Sequence, residues 1–412
     1  MKNVPELRFK EFSGEWIEEK FGQLFSFVST NSFSREKLNY NTGKIKNIHY
    51  GDIHTKFRTL FDIKKEYVPF INEEILDKKI NDDNFCIEGD LIIADASEDY
   101  EAIGKTIELI NLNCEKIIAG LHTIMARPVN NNIAIGFAGY LMQSDNVRYQ
   151  IKMIAQGVKV LSISSKRLKE IFLNIPDTSE QQKIASFLSA IDKKIELTDK
   201  KLECLESYKK GLMQKLLTGK VRFPGFNDEW KEEKLGNILK ERQEYTSKNN
   251  NSQHLSLTIN GILLKTERYN RDFLVKNLNK KYKITYKNDI CYNPANLKFG
   301  VICKNNFGKG IFSPIYVTFE VNKNFNKNFI GYFIRTKKFI KQALKYQEGT
   351  IYERMSVNPE DLLSIKIKLP SLPEQQKIAS FLSAIDKKIE LTKSGLENIK
   401  SYKKGLLQKM FV

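Results

Sequence analysis

The sequence predicts an α+β protein: two α/β modules separated by two long antiparallel helices in a coiled coil, related as a pseudo-two-fold internal repeat. Three matches within the chain carry that prediction. Residues 180–198 read EQQKIASFLSAIDKKIELT, and residues 374–392 repeat all 19 of them at an offset of 194. Upstream, Arg8-Phe9, Phe12, Glu15-Trp16, Glu18-Glu19-Lys20 and Gly22 recur as Arg222-Phe223, Phe226, Glu229-Trp230, Glu232-Glu233-Lys234 and Gly236, now at an offset of 214. A weaker match at an offset of 192 pairs Phe137, Gly139, Tyr140 and Gly157 with Phe329, Gly331, Tyr332 and Gly349. The chain therefore runs head, module, helix, head, module, helix, and the unequal offsets place the length variation inside the modules. The boundaries that follow are a first module over 1–175, a helix over 176–219, a second module over 220–369 and a helix over 370–412. Equivalent packing of the halves would set Met1 beside the end of the second helix.

Each element has a local reason. In the first helical segment Ile184, Leu188, Ile191, Ile195, Thr198, Leu202, Leu205 and Leu212 step mostly by alternating four and three residues, the 3.5-residue period of a coiled-coil seam. Ile378, Leu382, Ile385, Ile389, Leu396 and Ile399 form the same stripe in the second copy, and these residues are the candidate helix-pairing and subunit-interface positions. Pro176 precedes the first copy, with Asp177, Thr178, Ser179 and Glu180 as cap and acidic first turn; Ser371 and Pro373 open the second. Gly219 ends the first copy, whereas Gly211 and Gly405 weaken the late turns. About 40 helical residues at 1.5 Å each make a rod of roughly 60 Å. Its apolar stripe needs cover, so the copies are expected to clasp each other antiparallel. Two amphipathic helices inside ordinary domain cores would explain the stripe alone. From 180 to 218, however, 29 of 39 positions match the second copy, outward-facing ones included, and a core would not constrain those.

Between these anchors lie strand-like runs at 44–50, 91–93, 283–286, 289–292 and 315–321, punctuated by Gly-Asp, Asn-Gly and Asn-Pro turns. Helices are expected over 133–156 and 327–347, which makes each module α+β. The side chains crowding the loops are the candidate DNA contacts: Ser97, Lys105, His122 and Lys159 in the first module, with Asp95 alongside, and Tyr292, Asn293, Asn296, Lys298, Lys309, Tyr352 and Arg354 in the second. Asn, Arg and Lys can read base edges, and Lys and Arg also hold phosphates. Taken singly, each is better explained as a solvated loop residue; only their concentration points to an interface.

Composition sets further limits. Lys and Arg number 67 against 49 Asp and Glu, a formal charge of +18, which favours polyanions through counterion release; a lysine-rich proteome explains it equally well. Apolar residues at 41% argue for packed domains rather than a disordered chain. Cys86, Cys114, Cys204, Cys291 and Cys303 are scattered, odd in number and without a C-x-x-C pair, and read as free thiols of a reducing cytoplasm. No window approaches the roughly 18 apolar residues of a membrane span, and no leader-like apolar stretch follows Met1, so a soluble, cytoplasmic protein without membrane contact is expected. There is no Gly-rich phosphate loop ending in Gly-Lys, no His-Glu-x-x-His and no Cys/His zinc set, which leaves metal and nucleotide catalysis without ligands. Asn293-Pro294-Ala295-Asn296 lacks the second proline and the aromatic of an amino-methyltransferase loop and reads as a turn. Pro176-Asp177 with Glu180 and Lys183 has the wrong spacing for a nuclease and reads as a helix start.

The chain strongly resembles the specificity subunit of type I restriction-modification systems. The resemblance is carried by the duplicated EQQKIASFLSAIDKKIELT segment, the paired Arg-Phe and Glu-Trp heads, and the helix start from Pro370 to Ile378. Gly89-Asp90 before an apolar strand and the stretch from Gly157 to Pro176 add to it. It implies two target-recognition domains, each reading one half of a bipartite site in double-stranded DNA. It also implies helices that set the unspecified gap and dock two modification (methyltransferase) subunits, with restriction/translocase subunits completing the complex. S-adenosylmethionine, ATP and Mg would belong to those partners, leaving this chain without a cofactor and non-catalytic. Two other readings stay open. A structural adaptor would bind DNA without preferring any specific duplex, whereas a specific reader should exceed background by roughly 10³. A fused methyltransferase-specificity chain would bind S-adenosylmethionine unaided. Neither the recognised bases nor the gap length can be read from the sequence.

Overall fold

The computed structural model describes residues 3–75, 80–246, 253–265, 281–348 and 355–412. The chain forms two compact units, one of Met1–Asp199 with Ser394–Val412 and one of Lys200–Lys393. Long helices cover Thr178–Leu216 and Leu372–Lys409, so each helix gives one half to either unit.

Both helices begin where their caps dictate. The Asp177 carboxylate accepts the Glu180 N–H at 2.9 Å, and the Ser371 carbonyl accepts the Gln375 N–H at 2.9 Å. Pro373 sits in the first turn, where its missing N–H has no intrahelical partner to lose. Gly211 and Gly405 stay helical, and a Cβ at either would meet nothing within 4 Å. The first helix ends at Leu216, and Gly219 turns the chain away at φ +71°.

Within the second unit the helical segments run antiparallel: Glu206 pairs with Lys393 at 2.6 Å and Lys209 with Asp386, so advance along one is retreat along the other. In the first unit Asp192 pairs with Lys403 at 2.6 Å. The head crosses the second helix's end there: the Leu7 N–H donates to the Lys409 carbonyl at 2.8 Å, and Trp16 packs edge-on to Phe411 at 6.2 Å. The expected neighbourhood of the chain's head and the end of the second helix is thus observed.

The apolar stripe is more than a helix–helix seam, which corrects the pure coiled-coil expectation. Ile184, Leu188 and Ile191 enter one core with Phe137 and Tyr140 of the module and Leu406 and Phe411 of the second helix, with Ile195 and Ile399 at its margin. Ile378 and Leu382 enter the second core with Phe329, Ile330, Leu216 and Leu217. Ile385, Ile389 and Leu396 are buried, while Leu202 and Leu205 are only half-buried. A folded module offers more apolar surface than a single helix, so the start of each helix packs on its own module.

The modules share a sheet that their sequences do not advertise. In the first, strands Phe25–Val28, Thr123–Pro128, Leu91–Ala94 and Thr106–Asn111 lie side by side in that order and antiparallel, with Leu60–Asp62 added in parallel. In the second, Leu239–Glu241, Val317–Val321, Ile290–Tyr292 and Ile302–Lys304 repeat that antiparallel order. The inner strands are apolar on both faces because both are covered. Gly89 and Asn288, both at positive φ, turn the chain into them. Each head strand, Ile17–Lys20 or Lys231–Lys234, pairs antiparallel with the strand that leads into its long helix.

Three expected elements differ. The helix expected over 133–156 is two, Ala138–Leu141 and Asp145–Ile154, because the Ser144 hydroxyl caps a new helix on Val147 N. Thr336 likewise splits 327–347 into Lys327–Phe333 and Lys337–Ala343, followed by a 3₁₀ turn. The strand expected over 44–50 shrinks to Lys46–Ile48, since His49 Nδ1 accepts the Gly51 N–H at 3.2 Å and starts the helix Tyr50–Thr55.

Candidate nucleic-acid interface

Three residues of the repeated segment are clamps. Glu180 is fully buried and receives Arg8 Nε at 2.8 Å and Nη2 at 2.6 Å; Glu374 receives Arg222 in the same two-pronged way at 2.9 and 2.7 Å. Such a fork fixes geometry as well as charge. Gln181 accepts the Ala134 N–H and donates to the carbonyls of Asn132 and Pro176, all at 2.9 Å. Gln375 accepts the Asn326 N–H at 3.0 Å and donates to the Pro370 carbonyl at 2.9 Å. Asp192 accepts the Tyr140 hydroxyl at 2.7 Å beside Lys403, and Asp386 accepts the Tyr332 hydroxyl at 2.6 Å beside Lys209. Glu, Gln and Asp thus tie each helix to a head, a module loop, and a module helix together with the opposite long helix. Both partners of each Arg–Glu pair lay in recognised repeats; only the fold shows that they meet.

What the clamps do not use is left outside. Gln182, Lys183, Ser186, Ala190, Lys193, Lys194 and Leu197 are exposed, and so are their identical counterparts Gln376, Lys377, Ser380, Ala384, Lys387, Lys388 and Leu391. Leu197 and Leu391 are 58% and 64% exposed, unusual for leucine on a folded helix.

In the first module the fold gathers the candidates around the end of strand Leu91–Ala94. His122 is exposed, adopts φ +55°, and sets Nδ1 3.3 Å from Asp95 Oδ1. Lys105 Nζ donates to the His54 carbonyl at 2.8 Å, and burial lowers its pKa. Ser97 is a correction: it is buried, and its hydroxyl closes a turn by accepting from Asp99 N and donating to Asp99 O. Lys159 is exposed in the loop closed by the Gln156–Ser162 bridge, whose following residues Leu161 and Ser162 pair with Ser97 and Ala96.

In the second module Tyr292 is a further correction. It is fully buried, stacks on Phe319 at 5.8 Å, and donates its hydroxyl to the Val357 carbonyl at 2.9 Å, because it ends an inner strand with both faces covered. Asn293 is also buried, its side chain capping Ala295 N at 3.1 Å, and Asn296 closes the same turn; the turn reading of this segment stands. Lys298 and Lys309 are exposed, beside the rings of Phe299 and Tyr286. Tyr352 and Arg354 lie outside the described residues. A groove of about 940 Å³ adds Lys210, Lys220, Arg335, Lys337 and Lys338 as a cationic surface. The first-module positions matching Arg335, Lys337 and Lys338 are Gln143, Asp145 and Asn146.

Sequence reasoning missed Tyr50 and His54. Three of the four histidines, dispersed along the chain, converge on the Tyr50 ring: His49 at 4.7 Å, His122 at 5.2 Å and His54 at 6.1 Å. His49 is held neutral, its pKa brought down to about 4 by burial and by the Arg35 charge. Among the described residues no group of three or more His, Cys, Asp or Glu is placed to hold a metal, and no helix is long and apolar enough to cross a membrane.

A family model for the type I restriction modification DNA specificity domain matches residues 14–207 and again residues 227–401. The chain belongs to this family. It is 26% identical to a protein of Methanocaldococcus jannaschii provisionally named type I restriction enzyme MjaX specificity subunit, over 98% of this chain and 95% of that one. It is 27% identical to the MjaVIII specificity subunit of the same organism over 62% of this chain and 65% of that one. Among solved structures the fold is similar to the type I restriction-modification S subunit of M. genitalium, with a TM-score of 0.58, 15% identity and 99% of each chain covered. It is also similar to a chain described under complex assembly and conformational transition of the type I system, with a TM-score of 0.54, 13% identity, and 96% of this chain and 97% of that one covered. The family's specificity domain therefore occurs twice in this chain, each copy spanning a head, a module and a long-helix start.

Proposed function

We propose that this chain gives a type I restriction-modification complex its DNA address, each module reading one half of a bipartite duplex site. The carrying observation is that one core sheet is displayed twice with unlike loops, each fastened to an identical helix start by the same Glu, Gln and Asp clamps. Unlike loops imply unlike half-sites, and the exposed cations Lys159, Lys298 and Lys309 and the basic groove suit phosphates. The seven exposed residues repeated without change suit two copies of one partner, the modification subunit, and the long helices set the gap between half-sites. S-adenosylmethionine, ATP and Mg act on the partner subunits, restriction/translocase subunits included. Cys291 and Cys303 stand opposite each other in one ladder as free thiols, which fits a reducing cytoplasm.

The test is a module exchange. Residues 23–175 are replaced by those of another family member, and the methylated motif is mapped in cells carrying the hybrid complex. One half-site should change and the other persist; change in both halves refutes modular reading. Removing seven residues from within 196–210 should alter the gap or abolish assembly, and an unchanged motif in an intact complex refutes the spacer role.

A further inference from the structure

The cluster around Tyr50 is selective in its chemistry. His54 Nε2 lies 2.9 Å from the Ala96 carbonyl, which only accepts, so that nitrogen carries the proton and Nδ1 is an acceptor. Nδ1 is buried and has no partner. Asp95 Oδ1 is buried beneath His122 Nδ1 at 3.3 Å, so the proton of His122 faces the carboxylate and its outward Nε2 accepts. The His122 backbone is held in its left-handed conformation by the ladder: Asp95 N–H donates to the His122 carbonyl at 3.1 Å, and Thr123 pairs with Ala94. His54, Asp95 and His122 thus present acceptors, at the end of an inner strand and beside the exposed Lys159 loop.

Resting on the DNA-reading function above, we infer that Asp95, His54 and His122 read a cytosine through its N4 amino group in the first module's half-site. A phosphate is itself an acceptor and an anion, and Asp95 would repel it. Among bases, guanine shows N7 and O6 acceptors and thymine an O4 acceptor, while adenine sets the N7 acceptor next to its amino group; only cytosine offers a donor alone in the major groove. Lys105, tied to the His54 carbonyl, positions that helix rather than touching the base. In the second module Tyr292 and Asn293 are buried or engaged at the matching strand end, so this cytosine has no counterpart read in the same way.

The experiment uses the complex of this chain with its modification subunits. Methylated motifs are mapped for the wild type, Asp95→Asn, His122→Leu and the exposed control Lys64→Ala. Asn pairs with adenine through a donor and an acceptor, so Asp95→Asn should lower the preference for C·G at one position of one half-site by about 10- to 100-fold and admit A·T there. His122→Leu should weaken the same position, and Lys64→Ala should leave the motif unchanged. The inference is overturned if the Asp95→Asn motif equals the wild type, if the sensitive position is an A·T pair in the wild type, or if both half-sites change. Should Asp95→Asn abolish methylation, competition between the wild-type duplex and duplexes substituted at single base pairs decides: loss confined to one C·G pair supports it, and uniform weakening overturns it. A wild-type complex without any bipartite motif would instead refute the DNA-reading function itself.

Discussion

Glu180→Ala tests the tie between head and helix. Glu180 has no exposed side-chain surface and takes both prongs of Arg8, which is itself 13% exposed. Removing one member of a buried pair costs about 3–5 kcal/mol because the other charge stays behind. Arg8 keeps bonds to the carbonyls of Gly14 at 2.5 Å and Ser13 at 3.2 Å, which places the loss near the lower figure, ~3 kcal/mol, or about 10²-fold in the unfolding equilibrium. The chain has two tryptophans, one in each head, so in a Trp230→Phe background the fluorescence of Trp16 follows this head during urea denaturation. An apolar replacement of both partners, Arg8→Met with Glu180→Leu, should recover most of the loss, since no charge is left unpaired. Glu374→Ala, read through Trp230 in a Trp16→Phe background, should destabilise in the same direction but less, because the Arg222 side chain is more exposed at 23%. A cost below about 1 kcal/mol for Glu180→Ala, or a double variant as unstable as the single one, would refute the clamp.

Three further outcomes follow from the structure. Glu108 is buried, and burial pushes its pKa up to about 7 despite two N–H donors from Gly136 and Gly139 at 2.6 Å; because the acid form is favoured in the fold, stability is full below about pH 4.5 and falls by ~3 kcal/mol as pH rises through 7. Denaturation at pH 5 and pH 8 should show that fall in the wild type and a flatter profile in Glu108→Gln, and equal slopes would contradict it. Leu197→Glu with Leu391→Glu should abolish co-purification of modification subunits while leaving the melting temperature within a few degrees, as expected for exposed positions; retained co-purification rejects this docking face. Gly157→Ala should cost ~1–3 kcal/mol and weaken DNA binding through the Lys159 loop, since φ is +126° and a Cβ would stand 2.0 Å from the Val160 carbonyl; a variant with wild-type stability and affinity would show that the loop geometry is dispensable.

Periodicity and repetition made the architecture legible, because a 3.5-residue stripe and a 19-residue identity survive without knowledge of the fold. The shared sheet was not legible: Leu91–Ala94 and Ile290–Tyr292 occupy the same place in the strand order but have little sequence in common, since an inner strand demands only apolar residues. Polar side chains were the least legible. Tyr292 and Ser97 looked like loop contacts, yet each spends its hydroxyl on a backbone carbonyl, a choice set by depth below the surface rather than by residue type. His54 and Tyr50 were hidden for the opposite reason. They lie far from His122 along the chain, and it takes the helix Tyr50–Thr55 packing beside strand Leu91–Ala94 to bring the rings together.

The repeated segment can now be divided by cause. Ile184, Ala185 and Leu188 are explained by the core, and Glu180, Gln181 and Asp192 by the head and module they hold. Neither cause reaches Gln182, Ser186, Ala190, Lys193, Lys194 or Leu197, which touch solvent and yet are matched residue for residue in the second copy. Surface positions away from special contacts usually tolerate change within about 0.5 kcal/mol, so stability alone would let the two copies drift apart as the modules between them did. What holds them equal must act on both faces alike and from outside the chain. A partner that presents one surface twice meets that condition, whereas two different partners, or a DNA contact tuned to each half-site, would have driven the copies apart.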